Sequence, residues 1–600
     1  MAGSALNNNG VNALSIFLAA NATANIEGNM SFSVGAHRMD AADANAITFN
    51  KPSLFTQDAG CSGNVFTATG TSNAIVFNAG ATFIQKSGAN PFGLIQPASK
   101  VLFKTGSLFK VQQILFLSLS GRTYADLEID FPAFNQSVIG VNPLNIDNLT
   151  ITQGTLSLNL TDGINIKGNV AVAAGHALNF NPATTGMLSF NGTSPQIITN
   201  SGTLNFNNNQ ALTINNTAGI EINSDIIFNN QVSFTSGIVT VADPAILTLS
   251  ATASVTGVSN ISFVNGLVKK TGNSAFTFPV GATGIGYVPI SITAPGSSTD
   301  EYVAAYKRSG AVSLSNNYAA GLDHVSGIDY WILNRTNGTT PVDITLYWTT
   351  QSSLSGSALY INDLSKLVIA HYNGSNQWDT YGGTFNSGSG FAAGSITWPG
   401  VNNFSPFSLG STDAANPLPV QLNYFTGVKK GDGNWFNWNV SCTVNANTVM
   451  NLERSTDGNN FTGISGITAT ALRCLQPFDF NEKHPLPGIN YYRLKITDAN
   501  GLTTYSNTIL LPGKENDPGI VLLSSTPANT NAILSIAAAQ KTTMKIVVTD
   551  ISGRRVTETT ANLTAGNNRV TVNLSHLAKG VYQITGYANG SIKTVRFIKE

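Results

Sequence analysis

GTLNFN at residues 202–207 and GIEIN at residues 219–223 show the pattern that decides the fold of this chain. In the first stretch, Leu204 and Phe206 alternate with polar residues, so both apolar side chains lie on one face of a strand. Glycine opens each stretch and asparagine closes it, and both residues tolerate the backbone conformations of tight turns. The pattern predicts short half-buried strands joined by tight turns.

Similar units recur about 14–18 residues apart, beginning at Gly154, Gly168, Gly186, Gly202, Gly219 and Gly237. A unit this short has no core of its own, whereas stacking successive units buries a continuous core. The repeat therefore predicts a parallel β-helix over residues 1–290. The side chains predicted to point inwards in stacked turns are Leu204, Phe206, Ile220 and Ile222. A set of antiparallel β-sandwiches is the alternative interpretation.

Three further β domains are predicted, so the whole chain is all-β. Residues 291–412 contain longer alternating strands with aromatic residues, which favour a β-sandwich. In residues 413–514, Trp438 shares one strand face with Phe436 and Val440, which indicates an immunoglobulin or fibronectin type III-like domain.

After a Pro- and Gly-rich break at residues 512–519, residues 518–600 form a small C-terminal β-sandwich. Asp550–Gly553 is the predicted hairpin turn of this domain. Its predicted core residues are Ile546, Val548 and Val581.

The charge composition excludes some classes of function. Charged residues make up 10% of the chain, and 31 Lys and Arg residues balance 31 Asp and Glu residues. A nucleic-acid binder needs a basic stripe that neutralises phosphates, and the chain has no such excess of cations. The polar residues are mainly Asn, Ser, Thr and Gly, which suit turns and a protein that works outside the cell. No run of about twenty apolar residues is present, so no transmembrane helix is expected.

The three cysteines are too few for a disulfide-dense scaffold or a Cys-based zinc cluster. Cys442 and Cys474 lie in one predicted domain, and we expect a disulfide between them in an oxidising compartment. Two buried free thiols are the alternative. Cys61 is predicted to be a small buried hydrophobic residue.

The charged stretch of most interest is DLEID at residues 126–130. On a strand, Asp126, Glu128 and Asp130 project to one side while the apolar residues between them enter the core. These carboxylates are a candidate Ca²⁺ site if a neighbouring turn supplies further oxygen ligands. The alternatives are the acidic groove of a polysaccharide lyase and an ordinary solvated strand face. No other cofactor is expected.

Aromatic residues provide a second candidate for binding. Exposed tryptophans in residues 291–412 would stack on sugar rings, whereas a sandwich core would bury them, which is the favoured interpretation. The residues concerned are Trp331, Trp348, Trp378 and Trp398. Trp435 is out of phase with its apolar neighbours and is the best candidate for an exposed ring.

Motifs of common enzyme active sites are absent from the sequence. It contains no Gly-x-Ser-x-Gly, no His-Glu-x-x-His and no phosphate-binding Gly-Lys-Ser/Thr loop. GATGIG at residues 281–286 has the glycines of a phosphate loop but no helix after it. The six histidines are scattered, with no metal-ligand spacing between them. These observations favour a protein that is not an enzyme.

The end of the chain resembles the type A sorting domain of proteins exported by the type IX secretion system of Bacteroidetes. The resemblance is carried by Lys545–Val556, Gly566–Asn567, Asn573–Tyr582 and Lys593–Lys599. The positions that match the sorting signal are Asp550, Gly553, Leu577, Gly580, Tyr582 and Lys593. The resemblance implies that the secretion machinery is a partner of residues 518–600. It also implies passage across the outer membrane, with removal of the last domain or attachment to surface lipopolysaccharide.

The preceding regions are similar to other parts of the same class of surface protein. Residues 451–461 and 486–494 resemble the module that often precedes the sorting domain, and residues 276–281 and 404–410 resemble Asn- and Gly-rich surface proteins. We therefore expect a secreted or cell-surface, adhesin-like protein without enzymatic activity. The alternatives are a carbohydrate-active enzyme, either a lyase or a hydrolase, and a glycan-binding protein, each using the β-helix groove.

Overall fold

A computed structural model provides the architecture of the chain. It describes residues 5–8, 10–67, 69–88, 90–92, 100–113, 117–309, 311, 314–315, 317–349, 354–355, 358–359, 361, 363–404, 406–413, 416, 421–442, 447–474, 476–486, 488–497, 503–513, 519–522, 528, 530–538, 540–588 and 591–599. The linker segments predicted near 417–420 and 514–518 lie outside the described residues.

Except for Thr123–Gly140 and Leu144–Leu160, which contain 18 and 17 residues, the N-terminal strands are short, and they pair mainly in parallel. Their bounds are β1 Ala5–Asn8, β2 Ser15–Leu18, β3 Ala24–Ile26, β4 Asn29–Phe32, β5 Arg38–Ala41, β6 Ile47–Phe49, β7 Leu54–Gln57, β8 Ile75–Phe77, β9 Thr82–Gln85, β10 Val101–Phe103, β11 Leu108–Val111, β12 Thr123–Gly140, β13 Leu144–Leu160, β14 Ile164–Ile166, β15 Val170–Val172, β16 Ala177–Phe180, β17 Gly186–Phe190, β18 Gln196–Asn200, β19 Thr203–Phe206, β20 Gln210–Asn215, β21 Ile220–Ile222, β22 Ile226–Phe228, β23 Val232–Ser236, β24 Val239–Val241, β25 Ile246–Leu249, β26 Val255–Thr256, β27 Val264–Asn265 and β28 Leu267–Thr271.

The second group of strands pairs antiparallel within two larger sheets and short hairpins. Their bounds are β29 Phe276–Phe278, β30 Gly281–Ala282, β31 Gly286–Tyr287, β32 Ile290–Ile292, β33 Glu301–Lys307, β34 His324–Val325, β35 Tyr330–Asn337, β36 Val342–Trp348, β37 Leu354–Ser355, β38 Ala358–Leu359, β39 Leu367–Tyr372, β40 Trp378–Thr380, β41 Thr384–Phe385, β42 Gly394–Val401 and β43 Phe407–Ser411. A 3₁₀ turn, Leu364–Lys366, precedes β39.

Two C-terminal groups of antiparallel strands complete the chain. The first contains β44 Gln421–Lys430, β45 Gly433–Ser441, β46 Thr448–Ser455, β47 Thr462–Ala469, the helical turn α1 Ala471–Cys474, β48 Phe478–Glu482, β49 Ile489–Thr497, β50 Thr503–Tyr505 and β51 Ile509–Pro512. The second contains β52 Gly519–Leu522, β53 Asn531–Ala538, β54 Thr542–Asp550, β55 Arg555–Leu563, β56 Gly566–Asn573, β57 Gly580–Ala588 and β58 Ser591–Lys599.

The N-terminal strands form a parallel β-solenoid, which confirms the predicted β-helix. Strand pairing places one column of apolar residues directly above one another through successive turns. The column runs Leu6, Met30, Phe55, Phe83, Phe109, Leu127, Leu149, Val170, Ile198, Ile222 and Val241. Leu204, Phe206 and Ile220 are also buried in this core, as predicted.

The length of a turn differs from the spacing expected from the glycines. Partners in the column are between 18 residues apart (Phe109 to Leu127) and 28 residues apart (Phe55 to Phe83). A turn therefore usually holds more than one of the Gly-led units, because each unit is a single side of the coil. Glycine is required where successive turns approach closely: a Cβ on Gly237, at φ +94°, would lie 1.7 Å from the carbonyl oxygen of Asn216.

Stacked aromatic rings fill the first turns of the solenoid. The rings of Phe49, Phe77 and Phe103 lie nearly parallel, with centroids 4.4 and 5.0 Å apart. These distances match the spacing of hydrogen-bonded strands, so identical residues at equivalent positions stack without distorting the sheet.

On the outer surface of the solenoid, polar side chains at equivalent positions of successive turns form a ladder of hydrogen bonds. Asn205 donates to Asn179 at 2.9 Å, and Asn179 donates to Ser157 at 3.1 Å.

The solenoid ends earlier than position 290. Strand β28 pairs in parallel with β25 on one side and antiparallel with β33 on the other, so one sheet runs from the last turns into the sandwich. Strands β29 and β32 pair with each other, and β32 pairs with β36, which places 276–292 in the sandwich. The Gly-rich turns at 281–286 resemble solenoid turns in sequence. The sequence pattern therefore predicts a solenoid that continues to residue 290, beyond its end in the structure. Most buried apolar residues from Met30 to Leu409 form one connected core, and a smaller separate cluster contains Trp378 and Leu322.

The third region is a two-sheet β domain with its own core. The three strands β44, β45 and β48 form one sheet, and β46, β47, β49, β50 and β51 form the other. Phe436, Trp438 and Val440 are buried between the sheets, and so are Tyr492 and Leu494 from the facing sheet.

The fourth region is also a two-sheet sandwich with a separate core. Its sheets contain β52, β53 and β56, and β54, β55, β57 and β58. Ile546 and Val548 are buried as predicted. Val581 is instead only half-buried, while the following Tyr582 is buried, because the ring of tyrosine fills the core and its hydroxyl reaches a backbone acceptor.

Truncation of a stacked ring should destabilise the solenoid strongly. Phe77→Ala removes a fully buried ring between Phe49 and Phe103 and is expected to cost about 3–5 kcal/mol. Phe17→Ala is the matched control, because Phe17 is 64% exposed, and it should change stability by about 0.5 kcal/mol or less. Urea unfolding followed by circular dichroism measures both. Equal, small shifts for the two variants would contradict the stacked core.

Candidate functional site

The acidic strand β12 presents its carboxylates outward, as the alternation predicted. Leu127 and Ile129 are buried in the solenoid core, while Asp126, Glu128 and Asp130 are half-buried on the outer surface. The pairing of β12 with β11 places Lys110 opposite Glu128. This cation could not be identified from the sequence pattern, because it comes from the preceding turn of the solenoid.

Lys110 joins two of the three carboxylates. Its Nζ lies 3.0 Å from Oε1 of Glu128 and 2.8 Å from Oδ2 of Asp130. Further donors complete the arrangement: Gln112 donates to Asp130 at 3.1 Å, and Thr152 donates to Glu128 at 2.8 Å. An ammonium group thus lies where a bound cation would bridge these carboxylates.

The titration of this cluster follows from its contacts. Burial raises the pKa of Asp130, but hydrogen bonds from Lys110 and Gln112 outweigh it, so the pKa is lowered overall. Burial dominates at Asp126 and raises its pKa, although Asn148 donates to Oδ1 at 2.6 Å. Among the described residues no group of three or more His, Cys, Asp or Glu side chains is arranged to hold a metal ion. Calcium binding at this strand stays a prediction.

A disulfide joins Cys442 and Cys474. Cys442 follows β45, Cys474 ends α1, and their Cα atoms are 5.8 Å apart. The bond closes a loop of 32 residues around the core of the third domain, and such a loop stabilises by about 3–4 kcal/mol on the chain-entropy interpretation. Cys61 is buried with a free thiol, as predicted, and burial raises its pKa.

The tryptophans divide into buried and accessible rings. Trp331, Trp348 and Trp378 are buried in the sandwich. Trp398 is half-buried and stacks on Tyr381, an exposed residue that the sequence analysis did not identify. Trp435 is 37% exposed, and Nζ of Lys430 lies 4.9 Å from its ring centroid.

The glycine-rich stretch 281–286 forms an antiparallel hairpin. Gly281 pairs with Tyr287, and Ala282 pairs with Gly286. The turn between them therefore connects strands within the sandwich instead of leading into a helix.

The matched residues of the sorting signal build the fourth domain. Asp550 closes the β54–β55 turn: its Oδ1 accepts from the backbone NH groups of Ser552 and Arg554. Its Oδ2 is 3.0 Å from Nε of Arg554. The hydrogen bond from the Ser552 side chain has the largest effect on the pKa of Asp550. Desolvation opposes it, and further hydrogen bonds from Arg554 and the Ser552 backbone help to lower the pKa of Asp550 to about 2. Gly553 adopts φ +81°, a conformation that favours glycine.

The second part of the signal fixes the entry to β57. Tyr582 is buried, stacks on Phe597 at 5.6 Å, and donates its hydroxyl to the carbonyl of Ala578 at 2.8 Å. Leu577 packs against the same core, and Gly580 begins β57. Lys593 is exposed on the last strand, β58. Most of these positions therefore maintain the fold, and Lys593 is available to a partner.

The last domain differs from the rest of the chain in its net charge. Residues 526–600 contain nine Lys or Arg residues and three Asp or Glu residues, whereas the preceding residues contain 22 and 28. The zero net charge of the whole chain therefore conceals a basic C-terminal domain and a mildly acidic body.

Residues 526–600 match the family model described as the secretion system C-terminal sorting domain. This match supports secretion of the chain through the type IX secretion system and indicates export, with attachment to the cell surface or secretion. Strand β52, which precedes the matched residues, pairs with β53 and belongs to the same sheet.

Other comparisons add only distant likenesses. No curated protein matches the chain in sequence. Dimeric latent PorU from Porphyromonas gingivalis is 10% identical with a TM-score of 0.16, over 45% of this chain and 25% of that one. The chain thus spans a quarter of that PorU chain. The BSP domain of a biofilm-associated protein is 9% identical with a TM-score of 0.12, over 50% of this chain and 80% of that one. These scores define no shared overall fold.

Within the described part of the chain, no helix has the length and apolar character needed to span a membrane.

Replacing Lys110 should show whether the carboxylates of β12 pair only with this lysine or can also bind Ca²⁺. Lys110→Gln leaves Glu128 and Asp130 without their cation and should cost about 1–3 kcal/mol. Because the folded pKa of Asp130 is lowered, its contribution is present above its ordinary pKa of 3.8 and is lost as the pH falls through the folded value. Addition of about 1 mM Ca²⁺ should raise the melting temperature of this variant but not of the original chain.

The matched control for this experiment is Lys269→Gln, which removes a single ion pair with Glu301 at 3.2 Å. The side chain of Lys269 is about as exposed as that of Lys110. It should show no response to Ca²⁺. An equal rise in melting temperature for the original chain and both variants would contradict the role given to Lys110.

Proposed function

We propose that this chain is a non-enzymatic, adhesin-like surface protein of a Bacteroidetes bacterium, delivered through the type IX secretion system by residues 518–600. The observation that carries the proposal is the division of the chain into two kinds of unit. The fourth domain has its own core and matches the sorting domain, whereas the solenoid and the first sandwich share one long core.

The body is suited to a structural role outside the cell. A solenoid with polar Asn and Ser ladders on its surface and a continuous apolar interior is elongated and extends by repetition. The disulfide at Cys442 and Cys474 fits an oxidising compartment. Both features support display of the body beyond the outer membrane.

A carbohydrate-active enzyme is the rival that uses the same solenoid surface. Its catalytic carboxylates would be Asp126, Glu128 and Asp130, but Lys110 forms ion pairs with the last two. Paired carboxylates of this kind hold adjacent turns together, which favours the non-enzymatic proposal.

The secretion machinery is the proposed partner of the sorting domain. The basic charge of residues 526–600 suits a partner with acidic groups, and Lys593 lies exposed on the terminal strand. Surface lipopolysaccharide is the proposed site of attachment after export.

Deletion of residues 518–600 in the native host should trap the protein in the periplasm. The deletion removes the domain with the separate core and should leave the body folded. Protease treatment of intact cells and fractionation measure the location, with the full-length chain carrying the same epitope tag as control. Normal surface display of the deleted chain would refute the role of the sorting domain.

A further inference from the structure

An aromatic pair joins the two sheets of the first sandwich. Tyr381 follows β40 in one sheet, and Trp398 lies on β42 in the other. Their rings are parallel within 15°, with centroids 3.8 Å apart. Tyr381 is 44% exposed and Trp398 is half-buried, so Trp398 backs one face of the tyrosine ring while the residue stays open to solvent.

Buried rings support this pair from below. His371 lies 5.9 Å from both Tyr381 and Trp398, and Phe407 lies 4.9 Å from His371. Burial lowers the pKa of His371 to about 4, against the opposing charge of Asp379. The imidazole of His371 is therefore neutral near pH 7, so the buried ring that contacts Tyr381 and Trp398 carries no charge.

The backbone holds Tyr381 in a fixed position. Its NH donates to the carbonyl of Ile369 at 3.2 Å, and the NH of Ile369 donates to the carbonyl of Gly382 at 2.8 Å. Gly383, at φ +143°, then turns the chain against Ile396, where an added Cβ would lie 2.5 Å from Cγ1. A ring fixed before binding loses little conformational entropy when a ligand stacks on it.

Polar groups lie beside the exposed ring. Burial raises the pKa of Tyr381, and the nearby charge of Asp379 on β40 raises it further, whereas Trp378 on the same strand is buried. Asn373 donates to both oxygens of Asp379 at 3.2 Å, which orients the carboxylate and leaves acceptor capacity on it. The negative charge of Asp379 disfavours an anionic ligand.

We propose that Tyr381, backed by Trp398, is a stacking platform for a pyranose ring of a neutral polysaccharide, with Asp379 and Asn373 binding its hydroxyl groups. The apolar C–H face of such a sugar matches a flat aromatic ring, and its hydroxyl groups match a carboxylate and an amide at the edge. The inference deepens the proposed function by naming the class of adhesion ligand, and it rests on display of the chain outside the cell.

Native affinity electrophoresis of the purified full-length chain tests the proposal. The gels contain one of a panel of neutral polysaccharides (β-glucan, xylan, mannan or α-glucan) or anionic polygalacturonate. At least one neutral polysaccharide should retard the chain more strongly than polygalacturonate does. Tyr381→Ala should lower the affinity about tenfold or more, and Tyr381→Phe, which keeps the flat ring, should stay within about threefold.

Two further variants keep the result interpretable. Tyr381→Leu retains apolar packing against Trp398 without the flat ring, and it should lose binding as Tyr381→Ala does. Tyr587→Ala is the matched control, since Tyr587 is 42% exposed in the sorting domain, and it should bind like the original chain.

Three outcomes would overturn the proposal: no retardation by any neutral polysaccharide, retention by polygalacturonate alone, or unchanged binding by the Tyr381→Ala and Tyr381→Leu variants. The assay uses purified protein, so its failure would leave surface display untouched. A failure of display would in turn leave the binding result standing.

Discussion

The parallel hydrogen-bonded ladder between successive turns is the constraint on which the rest of the structure depends. It holds equivalent residues of neighbouring turns at the spacing of paired strands, so that Phe77 stacks between Phe49 and Phe103. The same ladder aligns polar residues outside, where Asn205 and Asn179 form a hydrogen bond. A residue that fits one turn must therefore fit its neighbours, which accounts for the recurrence of small polar residues and glycine along the chain.

The ladder also explains how the solenoid joins the first sandwich. A solenoid end exposes strand edges and apolar side chains unless another element covers it. At the C-terminal end, β28 provides this transition: it accepts a parallel partner on one edge and an antiparallel partner on the other. The sandwich therefore continues the sheet and the core without a flexible junction, and the aromatic pair of Tyr381 and Trp398 is carried on this connected body.

Much of the fold could be predicted from the sequence because it rests on local alternation. The inward positions Leu204 and Phe206 and the outward carboxylates of β12 follow from a period of two. What depended on pairing between distant segments could not be predicted: Lys110 meets Glu128 only because two turns stack in register, and Tyr381 meets Trp398 only because two sheets converge. The spacing of the glycines also underestimates the length of a turn and places the end of the solenoid too late. The reason is related, since glycine occurs both at the corners of a coil and in the hairpins of a sandwich.

The sorting domain is a separate part of the chain, because its core does not join those of the preceding domains. The most direct test is the surface exposure of a periplasmic reporter fused to residues 518–600 in a bacterium that has the type IX secretion system. We expect the reporter to become accessible to protease on intact cells. Tyr582→Ala, which removes the ring packed on Phe597, should abolish this exposure. A reporter that stays in the periplasm with the intact domain attached would contradict the role of residues 518–600 in export.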